Sequence, residues 1–296
     1  MLRETLLALT AMGSACAVAQ TPAPQAPPVT DILPAPACDG ALAQGGLVIC
    51  QGAPGTRFTV AGTTLTTDAT GSAQFGLGTK APSLVGWSHE SGAFGDLTIA
   101  PRKDDYRELT GLDCDKVDAR SEEQKAHAAR SWVKKQEAFA SFHDGPGALT
   151  GFIRPADAPA SSPFGPTRKY TGASKVTGEP CESTSVHRGY DMATPIGTDV
   201  IAPAEGTVIL ADPDLYYEGG TVFLDHGNGL VSVFMHLSEV DVTAGDVLAR
   251  TGNSGRTTGP HLHWAVKWRN VENKTRDGDF YIDPALLLEL PITEAP

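Results

Sequence analysis

Hydrophobic and polar positions are patterned in three different ways along this chain of 296 residues. From about Ala37 to Ala100 the apolar residues come in short runs, such as Leu47-Val48-Ile49, Arg57-Phe58-Thr59-Val60 and Asp96-Leu97-Thr98-Ile99, separated by Pro54-Gly55, Thr70-Gly71 and Ser91-Gly92. Short β-branched runs between turn pairs predict a small antiparallel β-sandwich over residues 37–101. Between Asp118 and Phe142 glycine and proline vanish, and Ser121 stands three residues before Gln124. That is the spacing of a capping box, so a helix is predicted over about 121–142, within a linker of residues 102–149. Ala126, Ala129, Trp132, Val133, Gln136 and Phe139/Ala140 recur at helical spacing and form its expected apolar stripe. His127 reads as a solvated or capping side chain, and His143 has no partner nearby in sequence. After Gly145-Pro146-Gly147 the turn and strand signals return, as in Thr207-Val208-Ile209-Leu210, Thr221-Val222-Phe223-Leu224 and Leu230-Val231-Ser232-Val233-Phe234. Residues 150–290 are therefore expected to be a second, larger β domain, and the chain to be mainly β with antiparallel sheets.

The N-terminus follows a different rule. Arg3 precedes an uncharged run from Leu6 to Ala19 that ends in Ala17-Val18-Ala19. This is the form of a secretory signal over residues 1–19, cleaved before Gln20. The run is short for a membrane anchor, and a lipoprotein site at Cys16 would need a branched aliphatic where Gly13 stands. Residues 20–36, TPAPQAPPVTDILPAP after Gln20, form a Pro-rich tether. Export removes Cys16 and leaves Cys38, Cys50, Cys114 and Cys181, an even set that suggests disulfides. Three pairings are open; the short Cys38–Cys50 separation across Gly45-Gly46 suits a hairpin staple and would leave Cys114 to Cys181. The formal charge of −12, from 23 Lys and Arg against 35 Asp and Glu, argues against nucleic acid, whose phosphates need clustered cations.

Five of the eight histidines lie between His187 and His263. In His187-Arg188-Gly189-Tyr190-Asp191 the first and last residues share a face of an extended chain and can point at one metal ion. In His261-Leu262-His263 the two imidazoles share a face roughly 6.5 Å apart at Cα, with Leu262 and Trp264 turned towards a core. One of them comes within ligand reach while the other stands in the same groove as an acid/base. Met235-His236 ends the run Leu230–Phe234 and adds a further imidazole. Two imidazoles and one carboxylate make an open tetrahedral zinc site with water in the fourth position. Zinc lowers the pKa of bound water to about 7 and polarises a carbonyl, which suits amide hydrolysis.

Together these residues resemble the lysostaphin-type zinc endopeptidases of bacterial cell walls, peptidase family M23, whose LytM domains carry H-x-x-x-D and H-x-H. The framework between the motifs is similar too: Ser162-Pro163-Phe164-Gly165, Asp191-Met192-Ala193-Thr194-Pro195-Ile196-Gly197-Thr198, Gly219-Gly220, His226-Gly227-Asn228-Gly229, Phe234-Met235-His236-Leu237-Ser238, Gly252-Asn253-Ser254-Gly255 and Thr258-Gly259-Pro260 before His261. The resemblance covers about residues 150–285. It implies one Zn2+ held by His187, Asp191 and His263, with His236 and His261 as catalytic histidines and His226 structural. It also implies that residues 37–101 are a small immunoglobulin-like module. The stretch Lys175–Ser185, with Cys181, departs from the pattern and bears on the rim of the groove.

The family cuts peptide cross-links of peptidoglycan, which implies an exported endopeptidase of the periplasm or cell envelope with stem and cross-link peptides as its partners. A Gram-negative member would cut beside D-alanine and diaminopimelate, a Gram-positive one glycine bridges. The alternative is a non-catalytic LytM-type activator of a wall amidase, a class that loses ligands; all five positions are present here. A further alternative is a precursor whose N-terminal module or linker helix covers the groove.

Overall fold

The β-branched runs near the N-terminus pair into two antiparallel sheets in the computed structural model, which describes residues 35–117, 119–240, 247–273 and 278–293. The leader, residues 1–19, and the tether as far as residue 34 lie outside the described residues. One sheet orders Ala37–Ala41, Leu47–Gln51 and Ser72–Gly76; the other orders Thr63–Thr66, Arg57–Val60, Leu84–His89 and Phe94–Thr98. Strand residues alternate between faces, so Phe58 and Val60 turn inwards while Arg57 does not. With Val48, Cys50, Val85, Leu97 and Ile99 they form one core. Cys38 stands opposite Cys50 in the register and is bonded to it.

The larger sheet is antiparallel throughout. Its main path runs Asp199–Ile201, Val247–Thr251, Leu230–Val240, Leu262–Trp268, Tyr190–Met192 and Ala160–Ser162. Gly219–Gly227 pairs on Leu230–Val240 and carries Thr207–Leu215 outside it; Phe280–Ile282 pairs on Leu262–Trp268. The strand Gly219–Gly227 is buried along its whole length. A strand covered on both faces reads as continuous rather than alternating burial.

One cover is the helix Glu122–Ala140, whose Ser121 and Gln124 exchange both hydrogen bonds of a capping box. Phe139 lies against Phe223 with ring centroids 4.7 Å apart. The face it buries is not the expected apolar stripe: Trp132 and Val133 are 60% and 52% exposed, whereas Ser131, Ala138 and Phe139 are buried. Polar anchors set the rotation, because Ser131 accepts the Tyr216 N–H and Lys134 pairs with Asp212.

The N-terminal module shares a core with the large sheet, and the described residues form one compact unit. Leu47 belongs to the same buried cluster as Trp264 and Trp268. Trp268 donates its indole N–H to the Gln74 carbonyl and lies between the rings of Phe75 and Phe280. This contact is at the far end of the strand Leu262–Trp268, about 16 Å from His263 at the usual rise per residue. The stretch Lys175–Ser185 completes a hairpin: Pro180–Val186 pairs with Thr167–Ala173, which runs parallel to Tyr106–Asp113. The Cys114–Cys181 disulfide closes this small sheet. Among the described residues no helix is long and apolar enough to cross a membrane.

Candidate metal centre

Register alone brings two of the expected ligands together, since Asp191 stands directly opposite His263 in the antiparallel pair of Tyr190–Met192 with Leu262–Trp268. His187 arrives by another route. It does not share one extended strand with Asp191: it follows Pro180–Val186, and the chain bends at Gly189 before the next strand begins. Only glycine fits at that bend, because a Cβ there would lie 2.4 Å from His263 Nε2.

Asp191 Oδ1 is 3.0 Å from His187 Nε2 and 2.8 Å from His263 Nδ1, and those nitrogens are 3.2 Å apart. His187 Nδ1 donates to the Pro163 carbonyl at 2.6 Å, which leaves Nε2 as the lone-pair nitrogen of the neutral ring. Burial works against ionisation of Asp191, yet hydrogen bonding and charge from His187 and His263 hold its carboxyl well below the usual range. Lone pairs this close need a shared proton or cation between them. Two imidazole nitrogens and a carboxylate oxygen are a donor set that fits zinc, and these three residues are the one such group among the described residues. Arg168 holds the other carboxylate oxygen at 3.0 Å and donates to Ser162 Oγ at 2.7 Å. A ligand so braced keeps its orientation.

The two remaining histidines face the same space. His261 Nε2 is 3.7 Å from Asp191 Oδ1, and the His236 and His261 rings are 4.8 Å apart. His261 Nδ1 donates to Gly259 O at 2.8 Å and His236 Nδ1 to Ser254 O at 2.9 Å, so both keep Nε2 as an acceptor. Burial, then the neighbouring His263 and His261, pushes His236 down to about 3; burial also lowers His263. His236 is therefore neutral at neutral pH. Its strand does not end at Phe234 but continues to Val240, with the register broken beside Leu237. At that break His236 has φ +64°, a left-handed backbone that costs a non-glycine residue about 1–3 kcal/mol.

His226 is elsewhere in the sheet and fully buried, with Nδ1 on Glu205 O at 2.7 Å and Nε2 on Ser232 Oγ at 2.8 Å. His127 bonds to Asp214 O, and His143 meets the buried carboxylate of Asp225. Neither is brought to the centre.

Residues 185–276 match the model of peptidase family M23. That segment, which holds the four histidines and the aspartate of the centre, is similar to M23 peptidases. The chain is 42% identical over 113 residues to an uncharacterized metalloprotease of Haemophilus influenzae, covering 35% of this chain and 22% of that one. It is 36% identical over 112 residues to the peptidoglycan DD-endopeptidase ShyA of Vibrio cholerae, covering 36% of this chain and 24% of that one. The chain thus spans between a fifth and a quarter of the length of these curated relatives. A crystal structure assigned to peptidase M23, from Pseudomonas aeruginosa, superimposes with a TM-score of 0.55 at 26% identity, over 83% of this chain and 95% of that one. That coverage extends the shared fold into segments that precede the M23 match.

Arg168 is a site residue that no motif contains, and Ser162 and Ser254 lie in framework motifs that do not show what they hold. Arg168 reaches Asp191 and Ser254 reaches His236 across 23 and 18 residues, and no local pattern marks such a partner.

Proposed function

We propose that this chain is an exported zinc metalloendopeptidase that hydrolyses D,D peptide cross-links of bacterial peptidoglycan. The observation that carries the reading is the convergence of His187 Nε2, Asp191 Oδ1 and His263 Nδ1 within 3.2 Å, beside two more imidazoles with free Nε2 atoms. The substrate class is supported by the M23 match and by the similarity to ShyA, a peptidoglycan DD-endopeptidase. In this reading residues 150–290 are the peptidase domain, 37–101 an accessory module and 102–149 its connection. Export is supported by the leader and by two disulfides, Cys38–Cys50 and Cys114–Cys181, which persist in oxidising compartments.

His187, Asp191 and His263 would hold a single zinc ion. When bound, zinc supplies a Lewis acid that polarises the scissile carbonyl and a water whose pKa is about 7. The chain's own groups do the rest. Arg168 keeps the Asp191 carboxylate turned to the ligand position, and Pro163 fixes the His187 tautomer. His261 and His236 accept hydrogen bonds at Nε2 and so orient the attacking water; once protonated they donate to the oxygen that gains charge.

The test pairs metal analysis with digestion of purified sacculi and mass spectrometry of the released muropeptides. About one zinc per chain and products cut in the peptide cross-link are expected. Protein that holds no zinc and leaves sacculi intact would overturn the proposal.

A further inference from the structure

We propose that Lys135 and Glu218 are positioning residues for His236, so that a helix lying before the M23-matched segment is part of the working site. The inference rests on the proposed peptidase reading for its kinetic arm only. His236 is held from two sides. Its N–H donates to Glu218 O at 2.8 Å, and its Nδ1–H donates to Ser254 O at 2.9 Å. Ser254 is locked to the turn that Glu218 belongs to: its Oγ accepts the Gly220 N–H at 2.9 Å and donates to Leu237 O at 2.7 Å. Arg256 N–H donates to Tyr217 O at 2.8 Å. Gly219 has φ +67°, and a Cβ there would lie 2.2 Å from Ser254 Oγ. The turn at Tyr216–Gly219 therefore sets both the backbone and the ring of His236, a residue whose left-handed backbone must be imposed from outside.

The helix Glu122–Ala140 in turn sets the turn. Ser131 Oγ accepts the Tyr216 N–H at 3.0 Å, and the His127 ring packs edge-on against Tyr216. Lys135 pairs with the Glu218 carboxylate, their side chains only 15% and 12% exposed. Glu218 Oε2 has no hydrogen-bond partner among the described residues, so Lys135 is the group that makes this buried carboxylate tolerable. The pair ties the turn to the helix, and without it the Glu218 side chain is free to move, whether a carboxylate is left unpaired or an amide takes its place. Here that movement would carry the Glu218 carbonyl away from the His236 N–H.

The experiment uses the full chain, with the His236 imidazole N–H resonance identified by its loss in His236→Ala. In Lys135→Met that resonance is expected to shift and exchange faster with solvent, in zinc-loaded and zinc-free protein alike. Against a soluble cross-linked muropeptide, kcat falls about tenfold to a hundredfold, the scale of a misplaced catalytic group, while KM and zinc content hold. Lys135→Arg restores both readouts. The double variant Lys135→Met/Glu218→Gln leaves no unpaired charge, folds, and behaves as the single one does. Lys125→Met breaks the exposed Lys125–Glu122 pair on the same helix and changes neither readout. A wild-type His236 resonance and wild-type kcat in the Lys135→Met or double variant would overturn the inference. A chain that cuts no muropeptide, yet shifts the resonance in Lys135→Met, refutes the peptidase reading and leaves the positioning role standing.

Discussion

His226 and His187 are both buried histidines of the segment that matches family M23, and they differ in what their second nitrogen meets. His226 donates from Nδ1 to Glu205 O and accepts at Nε2 from the Ser232 hydroxyl, which itself accepts the Trp264 indole N–H at 3.1 Å. Every polar atom there is matched, and burial holds His226 down to about 4, so it is neutral. His187 also donates from Nδ1 to a carbonyl, but its Nε2 lies against Asp191 Oδ1 and His263 Nδ1. The first arrangement is complete without a ligand; the second needs a cation. Burial and histidine count therefore do not mark the site, and convergent lone pairs do.

Removing a ligand should break this contrast most severely. His263→Ala leaves two protein donors, and zinc binding and turnover are expected to be abolished while the fold persists. Metal content by mass spectrometry and the zinc-induced rise in Tm check it. Zinc retained at the wild-type level would show that His263 is not a ligand. His236→Ala should by contrast keep the metal and lose about a hundredfold or more in turnover, the usual size of acid–base contributions. The matched side of the comparison is probed by Arg269→Met. Arg269 and Asp225 are both fully buried and paired at 2.9 Å, and Arg269 also donates to Phe139 O and Ser141 O at the end of the helix. Stranding the Asp225 carboxylate should cost about 3–5 kcal/mol in urea unfolding, with zinc per folded chain unchanged. A loss under about 1 kcal/mol would mean that Asp225 does not depend on Arg269.

The unequal sides of this comparison also explain what the sequence made legible. His187, Asp191, His261 and His263 sit in short motifs, and strand pairing sets Asp191 opposite His263, so local spacing pointed to the side chains that converge. The antiparallel architecture followed from short β-branched runs and turn pairs, and the helix from its capping box. What stayed hidden depends on contacts across long stretches of chain: Arg168 with Asp191, Lys135 with Glu218, Arg269 with Asp225. The helix face was hidden for the same reason. Hydrophobic periodicity turns Trp132 and Val133 inwards, but Ser131, Lys134 and Lys135 have partners on the strand Thr207–Leu215 and the turn after it, and turn them outwards. Gly189 as a bend, rather than part of one strand, answers to the approach of His263.

Acid offers a smaller and graded test. The pKa of His226 is lowered from its ordinary 6.5 to about 4, so between those values the unfolded chain binds the proton that the folded chain refuses. Stability from this group is whole above pH 6.5 and drains away as pH falls towards 4, by roughly 3 kcal/mol in all. Urea unfolding at pH 7 and pH 4.5 in the His263→Ala background removes metal release from the measurement. His226→Asn, which cannot titrate, should flatten the slope; an unchanged slope would assign the acid sensitivity to other groups.

Ser232→Ala makes the finest cut. It deletes one hydroxyl and leaves two neighbours unmatched, the His226 Nε2 lone pair and the Trp264 N–H, both in the sheet interior. An unsatisfied buried polar group costs about 1–3 kcal/mol, and alanine adds little cavity, so a loss in that range is expected on urea unfolding. Trp264 is next to His263 in sequence, yet its side chain turns to the opposite face of the strand. Zinc affinity and turnover should therefore match wild type. If Ser232→Ala weakens zinc binding as a ligand substitution does, the matched and unmatched clusters are one network, and the distinction drawn between His226 and His187 fails.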